Sequence, residues 1–501
     1  PVALAELRAI EGLGPKSIKK LYQKLGIKNL ADLEKAALLG KIGKLEGFGK
    51  KSEENILKGI GFVKKSGGRF ALGFVMPEIM AIEAKLRELS GIDRLIVAGS
   101  ARRRKETIGD VDVLITIKGK GAAWGIMDYF VKLPEVARVY VHGPTKSAIK
   151  IRSGLDLDLR VVPAESYGAA LNYFTGSKDH NIALRQIAMK MGYKLNEYGL
   201  YKEAKNKPSS RAQAEGKQEA KIAGETEEGI YKALELDYIE PEMRENTGEI
   251  EAARVRKLPK LVGYKDLQGD LQVQTDWTDG SDSIENMTKA AIKQGLKYVA
   301  ITDHTKRLAM THGLDEHRIL KQMAEIDKLN KKFSGKIKIL KGSECDILED
   351  GSLDLPDTAL AKLDLVGASI HSRFNLSRAD QTERVKRAMR NPHVDIIFHP
   401  TGRIINRRDP YDVDIDELIK TAKKTGTIME IDAYPDRLDL KDEYIRKCVE
   451  AGVKMSIDSD AHSPTHFPYL EYGIAQARRG WAEKSDIINA WPLGKMMKFL
   501  K

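Results

Sequence analysis

Cysteine is almost missing from this chain: Cys345 and Cys448 are the only two among 501 residues. Two thiols build neither a disulfide framework nor a Cys-rich zinc module, so the interior of a cell, the cytoplasm, is the expected compartment. Long apolar runs are missing as well. None approaches the ~18 residues that a membrane helix needs, and the N-terminus lacks an apolar signal segment, so no membrane partner is expected. The chain begins with Pro1 rather than Met, which leaves room for processing or an upstream truncation. Nor is there an acidic excess: the net charge of +12 suits a polyanionic partner without specifying one. At ~150 residues per domain, this length makes two to four domains.

What is present is organised around residues 99–112, G-S-A-R-R-R-K-E-T-I-G-D-V-D, which follow the apolar run Leu95-Ile96-Val97-Ala98. A buried strand running into Gly99-Ser100 reads as a phosphate-binding turn. Glycine lets backbone N–H groups approach phosphate oxygens, serine adds a hydroxyl donor, and Arg102, Arg103 and Arg104 add charge. The chain then re-enters a strand at Asp110-Val111-Asp112, where alternation places both carboxylates on one face, roughly 6–7 Å apart. Such a pair can hold the two divalent metals, about 3.5–4 Å apart, that neutralise charge in phosphoryl transfer. Residues 155–162, L-D-L-D-L-R-V-V, are the expected source of a third carboxylate, Asp158, with Asp156 on the same face. Either fragment alone also suits an ordinary strand-to-helix turn or a solvent-facing edge. The combination favours chemistry.

Residues 1–66 repeat a short pattern, Ile10-Glu11-Gly12-Leu13-Gly14-Pro15-Lys16-Ser17 and Leu45-Glu46-Gly47-Phe48-Gly49-Lys50-Lys51-Ser52, each ahead of a helical stretch. A G-x-G turn that opens a helix points N–H groups at an anion, and Lys16, Lys50 and Lys51 add long-range attraction. This resembles the helix-hairpin-helix module, which grips nucleic-acid phosphates without reading sequence. After Gly67-Gly68 come a helix near 77–89, the organising strand, and short strands near 136–141 and 148–151. His142 and Lys146 read as surface or satisfied residues, and the pair Tyr173-Phe174 before Gly176 as a stacking surface or as core. Residues 202–221 read as an exposed loop, and 241–266 as an inter-domain connector.

Residues 1–240 resemble the DNA polymerase X family. The motifs that carry the resemblance are G-S-A-R-R, G-D-V-D-V, D-L-D-L-R-V-V, Y-F-T-G-S and Leu195-Asn196-Glu197-Tyr198, in family order. It implies helix-hairpin-helix fingers at 1–66, a nucleotidyltransferase palm at 67–165 and a thumb at 166–240. It further implies that Asp110, Asp112 and Asp158 are catalytic and hold two Mg²⁺, with Mn²⁺ able to substitute. Gly99, Ser100 and Arg103 would meet the triphosphate of a dNTP, Tyr173, Phe174 and Gly176 would face its sugar, and Asn181 and Arg185 would lie near the nascent pair. Gly12, Gly14, Lys16, Gly47, Gly49 and Lys50 would bind DNA. Arg160 and Glu197 would take part in switching between open and closed sites. No lyase domain precedes Pro1, so sugar-phosphate lyase activity and a grip on the 5′ side of a gap are not expected.

Beyond residue 267 the rhythm changes. Apolar strands at 298–301, 337–340, 363–366, 396–398, 427–431 and 454–457 alternate with amphipathic helices, the pattern of a parallel α/β barrel. Eight of the ten histidines lie beyond residue 270. His304, His371, His399 and His462 fall at strand ends beside Asp303, Glu344, Asp346, Asp458 and Asp460, where barrel sites are built.

Residues 267–501 resemble the PHP family, a seven-stranded distorted barrel with three metals. The resemblance implies one metal on Asp279, His304 and His462, a second on Glu344, His371 and His399, and a third on Glu344 with Asp460, the ions being Zn²⁺ or Mn²⁺. The family's opening His-x-His pair is here Gln272-Val273-Gln274, so the third position lacks two imidazoles. The expectation is a multidomain α+β and α/β protein: a monomeric, gap-filling repair polymerase acting on gapped or primer-template DNA. Its barrel would give 3′-5′ exonuclease or AP-endonuclease activity, weakened by the two glutamines. The alternatives are a nucleotidyltransferase acting on a small molecule or tRNA end, a polymerase with a purely structural barrel, and a DNA-binding protein with decayed catalytic halves.

Overall fold

The computed structural model describes residues 7, 10, 13–65, 67–119, 121–202 and 220–500. Gly12 and most of the expected loop at 202–221 lie outside the described residues. The chain divides into two compact units, Pro1–Leu258 and Pro259–Lys501.

In the first unit, helices Pro15–Leu25, Leu30–Leu38 and Lys50–Lys65 close on a small aliphatic core that includes Ile18, Leu21, Leu33, Ile56 and Ile60. Local signals set their ends. Pro15 sits in the first helical turn, where its missing N–H costs nothing, and Gly26 at φ 68° ends that helix. Asn29 caps the next through a 2.8 Å bond from the Asp32 N–H.

A five-stranded sheet follows, in the spatial order Ile92–Val97, Asp110–Ile117, Asp156–Val161, Lys146–Ile151, Val136–His142. The Asp110–Ile117 strand is antiparallel to Ile92–Val97 and parallel to Asp156–Val161. One face of these strands buries Val111, Val113, Leu157 and Leu159, each worth ~1.5–3 kcal/mol when removed from water. The helix expected near 77–89 spans Leu72–Arg87, with Pro77 inside it. Helices Tyr167–Thr175, Lys178–Lys190 and Glu227–Ala233 and a three-stranded sheet make the rest of this unit.

The expected connector at 241–266 is corrected by the structure. Residues up to 258 pack into the first unit, where a short 3-10 turn at Pro241–Met243 and the helix Glu249–Arg254 bury charged residues. Arg244 is 0% exposed and Glu249 0%. The proline and glycine content that suggested a linker instead shapes tight turns around these ions. Arg244 pairs with Glu227, and His180 bridges Glu249 at 2.6 Å and the Tyr231 hydroxyl at 2.8 Å.

The second unit is a seven-stranded parallel sheet in sequential order, from Gly269–Val273 to Met455–Asp458. A bridge between Val273 and Ala461 brings the last strand back to the first, so the sheet nearly closes. Aliphatic side chains between the strands and the outer helices form the main core, including Val299, Ile339, Val366, Met429 and Ile457. Inside the barrel, Leu271, Tyr298, Leu340, Leu365, Ile396 and Ile428, all near strand starts, pack with Phe398 and Trp491. There Gly367 is needed for close approach, since a Cβ would fall 1.9 Å from the Phe398 ring. That end is filled with apolar atoms, which leaves the strand C-termini for polar groups.

Candidate active sites

The parallel pairing sets Asp110 opposite Asp156 and Asp112 opposite Asp158, so alternation and register bring the acids to one face. Three cations meet them. Lys150 Nζ lies 3.0 Å from Asp156 Oδ1. Arg160 donates to Asp158 Oδ2 at 2.8 Å and lies 3.5 Å from Asp112 Oδ1, while Lys146 Nζ is 2.8 Å from Asp158 Oδ2. Lys146, read from the sequence as a surface or satisfied residue, is satisfied by the acid cluster, carried there by antiparallel pairing of its strand with Asp156–Val161. Burial pushes the Asp112 carboxyl up to about 6; Arg160 opposes the shift, and Asp110 and Asp158 add to it. Converging, mutually repelling carboxylates of this kind are a donor set that fits hard divalent cations.

Gly99 opens a short helix, Gly99–Arg102, at φ 66°, and a Cβ there would lie 3.6 Å from Asp112 Oδ2. The turn carrying Ser100 is therefore set directly against the acids. Arg102 donates to Thr175 Oγ1 at 2.7 Å and to both Glu227 oxygens at 3.0 and 2.6 Å. Arg103, assigned to the triphosphate by resemblance, donates to the Thr175 carbonyl and, at 3.1 Å, to Glu245. Gly176, at φ 67°, leaves room for it: a Cβ would fall 3.1 Å from Arg103 Nη1. Tyr173 and Phe174 meet edge to face at 5.2 Å, and Arg160 lies 4.6 Å from the Phe174 ring centroid. Asn181 donates to the Tyr173 carbonyl at 2.7 Å, Arg185 to the Asn181 carbonyl at 3.3 Å, and these residues line a small cleft with Asn172, Leu195 and Asn196. Glu197 follows the Tyr193–Asn196 strand, while Arg160 engages Asp112, Asp158 and Phe174.

In the helical region, Gly14 caps the Pro15–Leu25 helix and Gly49 precedes Lys50–Lys65. Gly14, Lys16, Gly47, Gly49, Lys50 and Lys51 are all exposed, and Gly47 has φ 81°. Glu53 accepts from the Ile42 and Gly43 N–H groups, both at 2.9 Å, and so fixes the chain before the second turn.

In the barrel, the strand ends converge. Asp279 Oδ2 lies 3.6 Å from His304 Nε2 and 3.6 Å from His462 Nε2. Glu344, 1% exposed, has its Oε1 2.8 Å from His399 Nε2 and 3.1 Å from His371 Nε2, and its Oε2 3.5 Å from His304 Nδ1. Two triads have ligand atoms close enough to share an ion: Asp279, His304, His462 and His304, Glu344, His371. The second differs from the expected set in drawing on His304, although His399 still touches Glu344. Burial would raise the Glu344 carboxyl, but the surrounding imidazoles, His304 foremost, hold it well below the carboxylate range. Asp346 orients His371, lying 3.3 Å from Nδ1. Asp303, a strand-end candidate, is instead held by Thr275, Thr278 and Gln322.

With the two amides oriented as they are, the third position does not fit a metal. Gln272 and Gln274 direct their Nε2 groups at Glu344 Oε2, at 3.1 and 2.9 Å, and each leaves a buried amide oxygen without a hydrogen-bond partner. Asp460 Oδ2 lies 3.6 Å from the Arg437 guanidinium, which is also 3.5 Å from Asp432. Sequence reading missed Arg437 and Asp432. The visible signal was the polar alternation Glu430, Asp432 at the end of an apolar strand, which points carboxylates into the barrel.

Three family models match: a SAM-like helix-hairpin-helix tandem over residues 4–61, the DNA polymerase beta thumb over 170–245, and the PHP domain over 270–489. The DNA polymerase/3′-5′ exonuclease PolX of Bacillus subtilis (strain 168) is 39% identical over 507 aligned residues, covering 100% of this chain and 85% of that protein. A shorter match, 31% over 230 residues, is to a probable phosphatase of Thermoanaerobacter sp. (strain X514), covering 44% of this chain and 88% of that one. The polymerase beta structure of Leishmania infantum aligns over 48% of this chain and 98% of its own, with 23% identity and a TM-score of 0.30. With its whole length matched by the Bacillus protein, the chain belongs to the family X DNA polymerases that carry a PHP domain.

Proposed function

We propose that this polymerase fills short gaps in DNA during repair, with Asp110, Asp112 and Asp158 as its catalytic carboxylates. The observation that carries the reading is the register Asp112–Asp158 beneath the Gly99-Ser100 turn. Polymerases of this family use divalent metals; here Asp110, Asp112 and Asp158 would hold two Mg²⁺, which supply charge neutralisation on the attacking and leaving oxygens. The turn's N–H groups and the Ser100 hydroxyl bind the triphosphate of the incoming dNTP, and Tyr173, Phe174 and Gly176 pack the sugar. Arg103 joins the triphosphate by leaving Glu245. The exposed lysines of the two helical turns hold the DNA backbone without reading sequence. Extension of a primer on gapped and ungapped templates, with products resolved by length, tests this: incorporation that stops at the gap's end supports it, and no templated incorporation refutes it.

For the barrel, we propose a 3′-5′ exonuclease on DNA with two metal positions, Zn²⁺ or Mn²⁺, held by Asp279, His304, His371, His462 and Glu344, with His399 supporting Glu344. Such ions supply an activated water and polarise the phosphate. Digestion of an end-labelled single strand with each metal in turn tests it.

A further inference from the structure

Four half-buried aromatic rings stand beside the barrel's metal-ligating groups and have no part in the chemistry described above. His466 is joined to the ligand loop itself, since its Nδ1 accepts from the His462 N–H at 3.3 Å. It stacks on Tyr469 with ring centroids 5.0 Å apart and planes at 23°. Tyr434 meets His466 edge-on at 5.3 Å and Tyr469 at 5.4 Å, and Tyr472 extends the row at 6.2 Å from Tyr469. Tyr434 is anchored on the other side of the site: its N–H donates to Asp432 at 2.7 Å, next to Arg437 and Asp460.

Packing alone does not account for this row. Its sequence neighbours Phe467 and Leu470 are the residues that enter the core, at 1% and 3% exposure, which turns His466, Tyr469 and Tyr472 the other way. A parallel ring pair with accessible area, next to phosphate-directed metal ligands and a guanidinium, has the composition of a surface on which bases stack irrespective of sequence.

We propose that Tyr434, His466 and Tyr469 form a base-stacking subsite that receives the 3′-terminal nucleobase of a single DNA strand. Its role is to set the last phosphodiester against Asp279, His304 and His462. Tyr434 and Tyr469 are positioning residues, and the inference rests on the reading of the barrel as a nuclease acting on 3′ ends.

The test uses the full chain and a ten-nucleotide thymidine strand ending in 3′-terminal 2-aminopurine, with Ca²⁺ to hold the strand without turnover. Stacking quenches the probe. The unmodified protein is expected to quench it, and Tyr434→Leu and Tyr469→Leu, which keep apolar bulk but lose the ring, to bind it about tenfold more weakly with unmoved thermal unfolding. Tyr469→Phe keeps the ring and should keep the quench. Equal quenching by the leucine variants, or equal quenching of a probe at the 5′ end, overturns the proposal. A second measurement needs no variant: a strand ending in 5-iodouracil is photo-crosslinked and the adduct mapped. Attachment to Tyr434, His466 or Tyr469 supports the subsite, and attachment only elsewhere overturns it. Lack of hydrolysis with every divalent metal would defeat the nuclease reading while the quench and the crosslink still report on the subsite.

Discussion

Arg160 donates to Asp158 across 2.8 Å, so a protein cation sits on a carboxylate proposed as a metal ligand. The acid cluster is built to bind positive charge. Asp110→Ala or Asp112→Ala is therefore expected to lower nucleotide incorporation by at least ~10³-fold while DNA binding, proposed to rest on the helical turns, stays nearly intact. Retention of more than about a tenth of the extension rate, a barrier rise below ~1.4 kcal/mol, would remove the metal role from these residues.

The Asp112 carboxyl, raised from 3.8 to about 6 first by burial, must lose its proton to take a metal. A raised acid is disfavoured in its ionised form, so protons compete with metal below about pH 6 and not above it. The Mg²⁺ concentration for half-maximal extension should then be flat above about pH 7 and rise up to about tenfold per unit below pH 6. A requirement that is constant down to about pH 5 contradicts the burial argument.

Much of this was legible in the sequence because the signals were local or periodic. The D-V-D pair, the L-D-L-D-L strand and six of the seven barrel strands follow from alternation and apolar runs. The seventh, Gly269–Val273, was not among the apolar runs, because Asp270 and Gln272 interrupt it and both are 0% exposed. The partner of Lys146 was not legible, because nothing near it in sequence reveals the antiparallel pairing that brings it to Asp158. The stretch at 241–258 misled for a similar reason: Arg244 finds Glu227 through tertiary packing, and composition alone cannot distinguish a solvated charge from a buried pair.

That buried pair is measurable. Glu227, 3% exposed, serves Arg102 and Arg244, and although burial pushes its carboxyl up, the two guanidiniums hold it at about 2. Glu227→Ala leaves Arg244 charged and enclosed, an expected loss of ~3–5 kcal/mol in urea unfolding of the first unit. Since the folded value lies below the ordinary 4.5, the stabilisation is complete above pH 4.5 and is lost as pH falls toward 2. A loss below ~1 kcal/mol would mean that water reaches this network.

Lys16, Lys50 and Lys51 are exposed around the two glycine turns. Their triple replacement by alanine should weaken DNA binding equally for all sequences and reduce the slope of log affinity against log salt by up to ~2–3, about 0.9 for each phosphate that a lysine no longer neutralises. Fluorescence anisotropy at several salt concentrations reads both quantities. Weakening confined to particular sequences would contradict backbone gripping.

In the barrel, Gln272 and Gln274 stand where the resemblance to the PHP family leads one to expect histidines. Gln272 and Gln274 give two N–H donors to Glu344 Oε2, an oxygen that a third metal would need. Turning the amides over would free that oxygen and offer two neutral donors, which suit Mn²⁺ better than Zn²⁺. Weakening even a supporting partner of a metal ligand costs 10–100-fold in affinity or activity, so glutamine at two positions expected to hold histidine should cost at least as much. Elemental analysis should therefore find about two barrel metals per chain, and 3′-5′ nuclease activity should be weak or dependent on added Mn²⁺. Gln272→His with Gln274→His should raise both metal content and nuclease rate. Three tightly bound zinc ions in the unmodified chain, or strong hydrolysis with Mg²⁺ alone, would make glutamine a competent ligand at this position and overturn the account.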